Sequence, residues 1–141
     1  MNLDLADRLL KYQEEGKSFR VGVIGVGKFA TMFLSQARST KGFHIAAIAD
    51  LSFNRAKDAL RTAGFEKELN TSGINEAITS NEIWFTDSGL ALAECEQLDL
   101  VIEATGNPEA GVDHCLAAFK ANSHVVLVTV CLLYTSDAAD E

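Results

Sequence analysis

The sequence predicts an α/β domain built on a doubly wound parallel sheet. Strand-like and helix-like segments alternate along the chain, a pattern that places helices between parallel strands. The strand-like segments are apolar runs without strict alternation, as expected for strands buried on both faces. Hydrophobic residues make up 48% of the 141 residues, enough for a sizeable core. Right-handed crossovers between such strands predict the strand order 3-2-1-4-5.

The first half of the chain contains two predicted strand–helix units behind a leading helix. In the leading helix, Leu5, Leu9 and Tyr12 fall on one face. The two later helices carry apolar residues at helical spacing, and Gly64 is a typical stop for the second of them. The predicted elements are the leading helix within 1–18, a strand at 19–25, a helix at 28–39, a strand at 43–50 and a helix at 52–64.

The second half continues the alternation after a polar, irregular stretch at 65–81, where one helical turn is expected at INEAI. Asp87 is the predicted N-cap of the next helix, and Asn107 with Pro108 is predicted to begin the last one. The last helix places these apolar residues on one face: Val112, Cys115, Leu116 and Phe119. The remaining predicted strands are 82–86, 98–105 and 124–130.

Charge and cysteine content narrow the possible function classes. The formal net charge of −8 argues against a nucleic-acid-binding surface. No apolar run approaches the roughly 20 residues that a membrane-spanning helix needs. The three cysteines, Cys95, Cys115 and Cys131, lack the spacing of disulfide pairs or metal sites. We therefore expect a cytoplasmic protein with reduced thiols, small buried Cys95 and Cys115 side chains, and no metal ligands.

The turn after the first strand carries the main functional motif. It reads VGVIGVGKFA and contains the pattern G-x-G-x-x-A from Gly25 to Ala30. Gly25 permits a tight turn, Gly27 leaves room for a pyrophosphate beside the backbone, and Ala30 lets helix and strand pack closely. The helix begins at these glycines, so its free N–H groups and its dipole face the anion. The strand–turn–helix context predicts a dinucleotide-binding site.

Asp50, at the end of the second strand, bears on the choice of dinucleotide. It lies where a ribose 2′-hydroxyl is held in dinucleotide-binding domains. A carboxylate there favours NAD because it repels a 2′-phosphate. Arg55, in the following LSFNR, lies either around such a phosphate or in solvent on the next helix. The residues by themselves leave NAD and NADP open.

A second group of candidates lies in VIEATGNPEA, at the carboxyl end of the fourth strand. Open α/β sheets bind ligands at this edge, so Glu103, Thr105 and Gly106 are predicted to face the same crevice as the glycines. Gly106 would let a nicotinamide or its ribose lie against the backbone. The alternative is a structural turn with Glu103 solvated. His114 falls on a helix and is expected to be exposed rather than catalytic, and no catalytic residue is assigned.

A resemblance covers roughly residues 1–130. The segments FRVGVIGVGKFATMFLSQ, HIAAIADLSFNRAK, WFTDS and LDLVIEATGNPEAG together resemble the N-terminal domain of homoserine-dehydrogenase-like oxidoreductases. The branch is the one whose members often end in a SAF domain, and it includes NADPH-using enzymes similar to 1-deoxy-D-xylulose 5-phosphate reductoisomerase. The resemblance implies a Rossmann fold, slightly favours NADPH, and assigns these residues to the cofactor pocket: Gly25, Gly27, Lys28, Phe29, Asp50, Thr105 and Gly106.

The expected function is that of an NAD(P)-binding part of an oxidoreductase, transferring hydride to or from a small polar carbonyl or hydroxyl metabolite. The resemblance places substrate-binding and catalytic residues in a later domain and implies a homo-oligomeric full-length protein. Two alternatives remain open: a non-catalytic nucleotide-binding sensor and a sugar-dehydrogenase-like oxidoreductase. A downstream catalytic domain would favour the enzyme, and a DNA-binding or regulatory fusion would favour the sensor.

The last residues break the pattern. After Val130, the segment CLLYTSDAADE has no periodicity and resembles a translated sequencing adapter. We therefore expect three parts: a leading helix at 1–18, an incomplete Rossmann domain at 19–130, and a non-native tail at 131–141 outside the core. A chain of this kind is expected to be inactive alone.

Overall fold

The computed structural model describes residues 5–15 and 19–129. The predicted tail at 131–141 lies outside these residues. The structure contains the following elements: α1 (Leu5–Glu14), β1 (Phe19–Ile24), α2 (Lys28–Ser39), β2 (Phe43–Ala49), α3 (Phe53–Thr62), β3 (Leu69–Asn70), α4 (Ile74–Thr79), β4 (Ile83–Thr86), α5 (Gly89–Ala93), β5 (Leu100–Glu103), α6 (Pro108–Lys120) and β6 (His124–Leu127).

The strands form one parallel sheet in the order β3-β4-β2-β1-β5-β6. For the five predicted strands, this order confirms the expected doubly wound arrangement. The stretch 65–81 contains the predicted helical turn, as α4, and also an edge strand that was not predicted. Leu69 and Asn70 pair with Ile83 and Trp84, and a two-residue strand is too short to leave a periodic signal.

Helices cover both faces of the sheet. On one face, α2 and α3 bury Ala30, Leu34 and Leu60 against strand residues such as Val23 and Ile48. The other face carries a second cluster, which includes Leu92, Ala93, Ala117, Ala118, Ala47 and Val101. Burial on both faces explains why the strands are apolar runs rather than alternating ones.

Helix α6 does not pack against the sheet through the apolar stripe seen in its sequence. Val112, Leu116 and Phe119 are exposed, whereas Gly111, Ala117 and Ala118 face the core. Small side chains let the helix lie close to the strands, so the larger apolar stripe is not the packing face. The predicted burial of Cys115 is wrong, because its side chain is only partly buried.

The helix boundaries confirm two of three sequence predictions. Asn107 caps α6 by accepting a hydrogen bond from the Ala110 N–H at 3.2 Å, with Pro108 in the first turn. Gly64 follows α3 with φ of +91°, as expected of a helix stop. The predicted cap Asp87 is wrong, because the neighbouring Ser88 accepts from the Ala91 N–H at 3.1 Å instead. Among the described helices, none has both the length and the hydropathy to span a bilayer.

Candidate functional site

A crevice of about 660 Å³ opens at the carboxyl ends of the central strands. It lies where β1 separates the two halves of the sheet, the position at which doubly wound folds bind ligands. Its walls come from the segments that follow β1, β2, β4 and β5, and from α6. The lining residues are Ile24, Gly25, Val26, Gly27, Ala49, Asp50, Leu51, Arg55, Asp87, Gly89, Ala104, Thr105, Asn107, Ala110 and His114.

The turn after β1 is shaped by its glycines. Gly25 has φ of +91°, and a Cβ there would lie 2.7 Å from the carbonyl oxygen of Ala104. Gly27 has an ordinary φ of −78°, and a Cβ there would meet nothing within 4 Å. Helix α2 begins at Lys28, directly behind this open space. The free N–H groups of its first turn therefore border a volume large enough for an anion.

Asp50 links the turn after β1 to the end of β2. Its Oδ1 accepts a hydrogen bond from the Val26 N–H at 3.3 Å, and its Oδ2 accepts from the Ser52 N–H at 3.0 Å. Arg55 lies near the same carboxylate, with Nε 3.9 Å from Oδ2. The Arg55 side chain is 62% exposed, so this ion pair is weak and the guanidinium remains accessible from the crevice.

Glu103 is fully buried at the end of β5, with 0% of its side chain exposed. Its Oε1 accepts from the Thr105 N–H at 3.0 Å, from the Thr105 hydroxyl at 2.7 Å, and from the Thr129 hydroxyl. Its Oε2 pairs with Nδ1 of His114. The alternative in which Glu103 is solvated is therefore wrong: its carboxylate is the buried centre of a hydrogen-bond network.

Two opposing effects act on the pKa of Glu103. Burial raises it, but the hydrogen bonds from Thr129, His114 and Thr105 together outweigh burial, so the pKa lies below its ordinary value. Glu103 is consequently ionised at neutral pH. Among the described side chains, no buried nitrogen or oxygen lacks a hydrogen-bond partner, so this charge is held without an unsatisfied neighbour.

The network also holds the turn that follows β5. The Thr105 hydroxyl accepts from the Asn107 N–H at 3.2 Å, and the Thr129 hydroxyl accepts from the Gly106 N–H at 3.3 Å. Each hydroxyl thus donates to Glu103 and accepts from the backbone of the turn. One buried carboxylate therefore fixes the path of the chain along this side of the crevice.

His114 is a crevice residue that sequence reasoning missed. The expectation that it is exposed is wrong, since only 12% of its side chain is accessible. The ring lies in the crevice wall, between Glu103 on β5 and Gly89 at the start of α5. In the apolar run LDLVIEAT, Glu103 is a charged residue in a strand expected to be buried, and a buried charge requires a partner. The spacing of the sequence does not identify which residue supplies that partner.

The structure brings five of the eight predicted cofactor residues to the crevice: Gly25, Gly27, Asp50, Arg55 and Thr105. The other three lie beside it. Lys28 is exposed on the outer side of the turn, and Phe29 packs against the core under α2. Gly106 lies in the turn beyond Thr105. Asp87, Gly89 and Asn107 join the lining without having been assigned, although each follows a strand end as Asp50 does.

Neither a metal site nor an activated thiol is found in residues 5–15 and 19–129. No group of three or more histidine, cysteine or acidic side chains comes together there. Cys95 and Cys115 are unpaired thiols. Burial raises the pKa of both, so they stay protonated at neutral pH and are poor nucleophiles.

The sequence matches a known family over most of its length. Residues 19–127 match the model of the GFO/IDH/MocA family, an oxidoreductase family with an NAD-binding Rossmann fold. No curated protein matches the chain closely enough to count as a relative.

Solved structures share the fold. One is a myo-inositol dehydrogenase from Lactobacillus casei in complex with NAD(H) and myo-inositol, at 18% identity and a TM-score of 0.57 over 78% of this chain and 28% of that one. Another is the Synechocystis biliverdin reductase with biliverdin and NADP+, at 25% identity and a TM-score of 0.57 over 77% of this chain and 28% of that one.

A third is a scyllo-inositol dehydrogenase from L. casei with NAD(H) and scyllo-inositol, at 13% identity and a TM-score of 0.57 over 79% of this chain and 28% of that one. The chain therefore spans a little over a quarter of the length of these structures. The family match supports the NAD-binding oxidoreductase part of the prediction, and it fits the sugar-dehydrogenase-like alternative better than the homoserine-dehydrogenase-like one.

Proposed function

Because the chain belongs to the GFO/IDH/MocA oxidoreductase family with its NAD-binding Rossmann fold, we propose that it is the cofactor-binding part of an NAD(P)-dependent dehydrogenase. The substrate class we propose is a small polyol or sugar-like metabolite, oxidised at a hydroxyl or reduced at a carbonyl. The inositol dehydrogenases that share its fold support this class over homoserine. The bound nicotinamide would supply the hydride chemistry, and the chain's own residues would bind and orient it.

The observation that carries the proposal is the open space beside Gly27 at the start of α2. A pyrophosphate there would accept hydrogen bonds from the first-turn N–H groups, and the helix dipole would stabilise its charge. Gly25 keeps the turn tight enough to leave this space free, because its positive φ folds the chain back against Ala104.

Asp50 and Arg55 would hold the adenosine ribose. Asp50 already accepts two backbone hydrogen bonds, and a carboxylate oxygen has further lone pairs for a ribose hydroxyl. Arg55 is exposed, and its 3.9 Å contact with Asp50 is weak enough for the guanidinium to turn towards a 2′-phosphate. This supports NADPH as the slightly favoured cofactor, with NADH also accepted.

Hydride transfer would also need residues that hold the substrate. The chain covers little more than a quarter of the dehydrogenases it matches in fold, and we place the substrate-binding side chains in a further domain. We therefore expect the 141-residue chain to bind cofactor without turning over a polyol, and measurable dehydrogenase activity from this chain alone would contradict that assignment.

Substitution of Gly27 tests cofactor binding. Gly27→Val would fill the space that the pyrophosphate needs, so binding of NAD+ and NADPH should fall below detection in isothermal titration calorimetry. Gln36→Val, at an exposed position in the same helix, is the matched control and should leave affinity unchanged. Unchanged binding by Gly27→Val, with far-UV circular dichroism showing a folded chain, would rule out this site.

Substitution of Arg55 tests the cofactor preference. Arg55→Ala should weaken NADPH by about tenfold, the size of one charge-assisted hydrogen bond, and NADH by less than about twofold. Arg61→Ala, at the exposed end of the same helix, controls for the loss of a positive charge. Equal losses for the two cofactors would show that Arg55 does not contact a 2′-phosphate.

A further inference from the structure

We propose that Glu103 and His114 form a dyad in which Glu103 positions the imidazole so that Nε2 of His114 accepts a hydrogen bond from the bound dinucleotide. The donor would be a ribose hydroxyl or the carboxamide N–H of the nicotinamide. This inference rests on the proposed cofactor-binding function and assigns a binding residue that the glycine motif does not include.

The hydrogen bonds of Glu103 determine which ring nitrogen of His114 carries the proton. Oε1 of Glu103 takes three donors, two from Thr105 and one from Thr129, which leaves Oε2 for the imidazole. An ionised carboxylate can only accept hydrogen bonds, so Nδ1 of His114 must carry the proton. In the neutral imidazole, Nε2 is then a lone-pair acceptor.

The His114 ring is oriented in the crevice wall by its contact with Gly89. The Nε2–Cε1 edge faces Gly89, where an added Cβ would lie 2.6 Å from Nε2 and 2.7 Å from Cε1. Gly89 and His114 both line the crevice, so the missing side chain at the start of α5 makes space for the ring in the crevice wall. Nδ1 is held by Glu103, and Nε2 lies beside Gly89, which lines the same crevice.

Charged side chains from several elements lie around the His114 ring. Glu103 contacts it from β5, Asp87 lies in the lining before α5, and Asp113 is its exposed neighbour on α6. Asp50 and Arg55 lie in the same lining, on the side of β2 and α3. When His114 is neutral, the ionised Glu103 is the charge in direct contact with it. Protonation of His114 would change Nε2 from an acceptor into a donor and remove its bond to a ligand donor.

The experiment measures affinity for NAD+ and for ADP-ribose by calorimetry at pH 8. His114→Asn keeps an N–H for Glu103 but lacks the Nε2 acceptor. It should bind NAD+ about fivefold more weakly than the wild type, the size of one neutral hydrogen bond.

Two further variants separate positioning from structural support. Glu103→Gln presents an N–H to Nδ1, which reverses the tautomer and should cause the same loss at pH 8 as His114→Asn. Asp113→Asn changes charge beside the ring without contacting Nε2 and should leave the affinity as in the wild type. ADP-ribose distinguishes the donors: an equal loss for ADP-ribose identifies a ribose hydroxyl, and a loss confined to NAD+ identifies the carboxamide.

These measurements distinguish failure of the dyad from failure of the proposed cofactor-binding function. If the wild type binds no NAD+, both the cofactor site and the dyad are wrong. If Gly27→Val abolishes binding while folded His114→Asn binds like the wild type, only the dyad is wrong. If Glu103→Gln does not fold, His114→Asn decides alone.

Discussion

The turns after β1 and β5 both border the crevice, but different forces hold them. The turn at Gly25–Ala30 is defined by backbone geometry: one glycine with positive φ, one glycine facing open space, and a helix start. The turn at 103–107 is defined by side chains, which meet at the buried carboxylate of Glu103. The first leaves the N–H groups at the start of α2 free for a ligand, whereas the second uses the N–H groups of Thr105, Gly106 and Asn107 in its own hydrogen bonds.

Because they are held differently, the two turns should be sensitive to different kinds of substitution. A turn made by glycines is damaged by added atoms: at Gly25 a side chain would strain the backbone, and at Gly27 a large side chain would occupy the space that a ligand needs. A turn made around a buried charge is damaged by removed atoms, because each orphaned donor bears the cost of desolvation. Binding capacity should therefore depend mostly on the β1 turn, and stability mostly on the β5 turn.

The strongest test of the comparison is removal of the buried carboxylate. Glu103→Leu leaves the donors of Thr105, Thr129 and His114 without an acceptor, and should lower the free energy of unfolding by about 3–5 kcal/mol. Urea titration followed by fluorescence of the single tryptophan, Trp84, measures this change. Glu66→Leu, at an exposed loop position, should stay within about 0.5 kcal/mol of the wild type. Similar costs for the two variants would refute the buried-charge account.

A second test compares the two glycines of the β1 turn. Gly25→Ala forces a Cβ into the left-handed region and within 2.7 Å of the Ala104 carbonyl, so the free energy of unfolding should fall by about 2 kcal/mol. Gly27→Ala meets no atom and has an ordinary φ, so its effect should be within about 0.5 kcal/mol. The same urea titration applies, and equal costs would show that φ at Gly25 does not constrain the fold.

The smallest expected effect is on the pH dependence of stability. The folded pKa of Glu103 is below its ordinary value of 4.5, so its contribution is fully present above that value and is lost as the pH falls through the folded pKa. The stability difference between wild type and Glu103→Gln should thus stay constant from pH 7 to pH 5 and shrink below pH 4.5. If the stability difference between the two proteins grows as the pH falls, then burial rather than hydrogen bonding determines the direction of the Glu103 pKa shift.

The same contrast explains what the sequence could predict. Gly25, Gly27 and Asp50 belong to a local pattern in which a strand, a turn and a helix follow one another, so their placement in the crevice was predictable. The order of the five longer strands followed from alternation and crossover handedness. Local chemistry and topology are both visible in a single sequence.

The features that escaped prediction depend on contacts across elements. His114 contacts Glu103 from a different element, and Thr129 contacts it from the segment after β6, so no local spacing in the sequence predicts either contact. Asp87 and Ser88 are adjacent and both suit an N-cap, and the turn geometry selects Ser88. The apolar stripe on α6 does not face the core, because close approach to a sheet selects small residues over large ones.

The sheet order also implies a sequence of folding events. The Val26–Asp50 hydrogen bond joins residues 24 apart in the chain, whereas the Arg20–Asp99 bond that secures β5 beside β1 joins residues 79 apart. Because longer loops cost more entropy to close, the β1–β2 side should assemble in the folding nucleus before β5 docks. Weakening the Glu103 network should then accelerate unfolding more than it slows refolding in stopped-flow urea jumps, and the reverse would place β5 inside the nucleus.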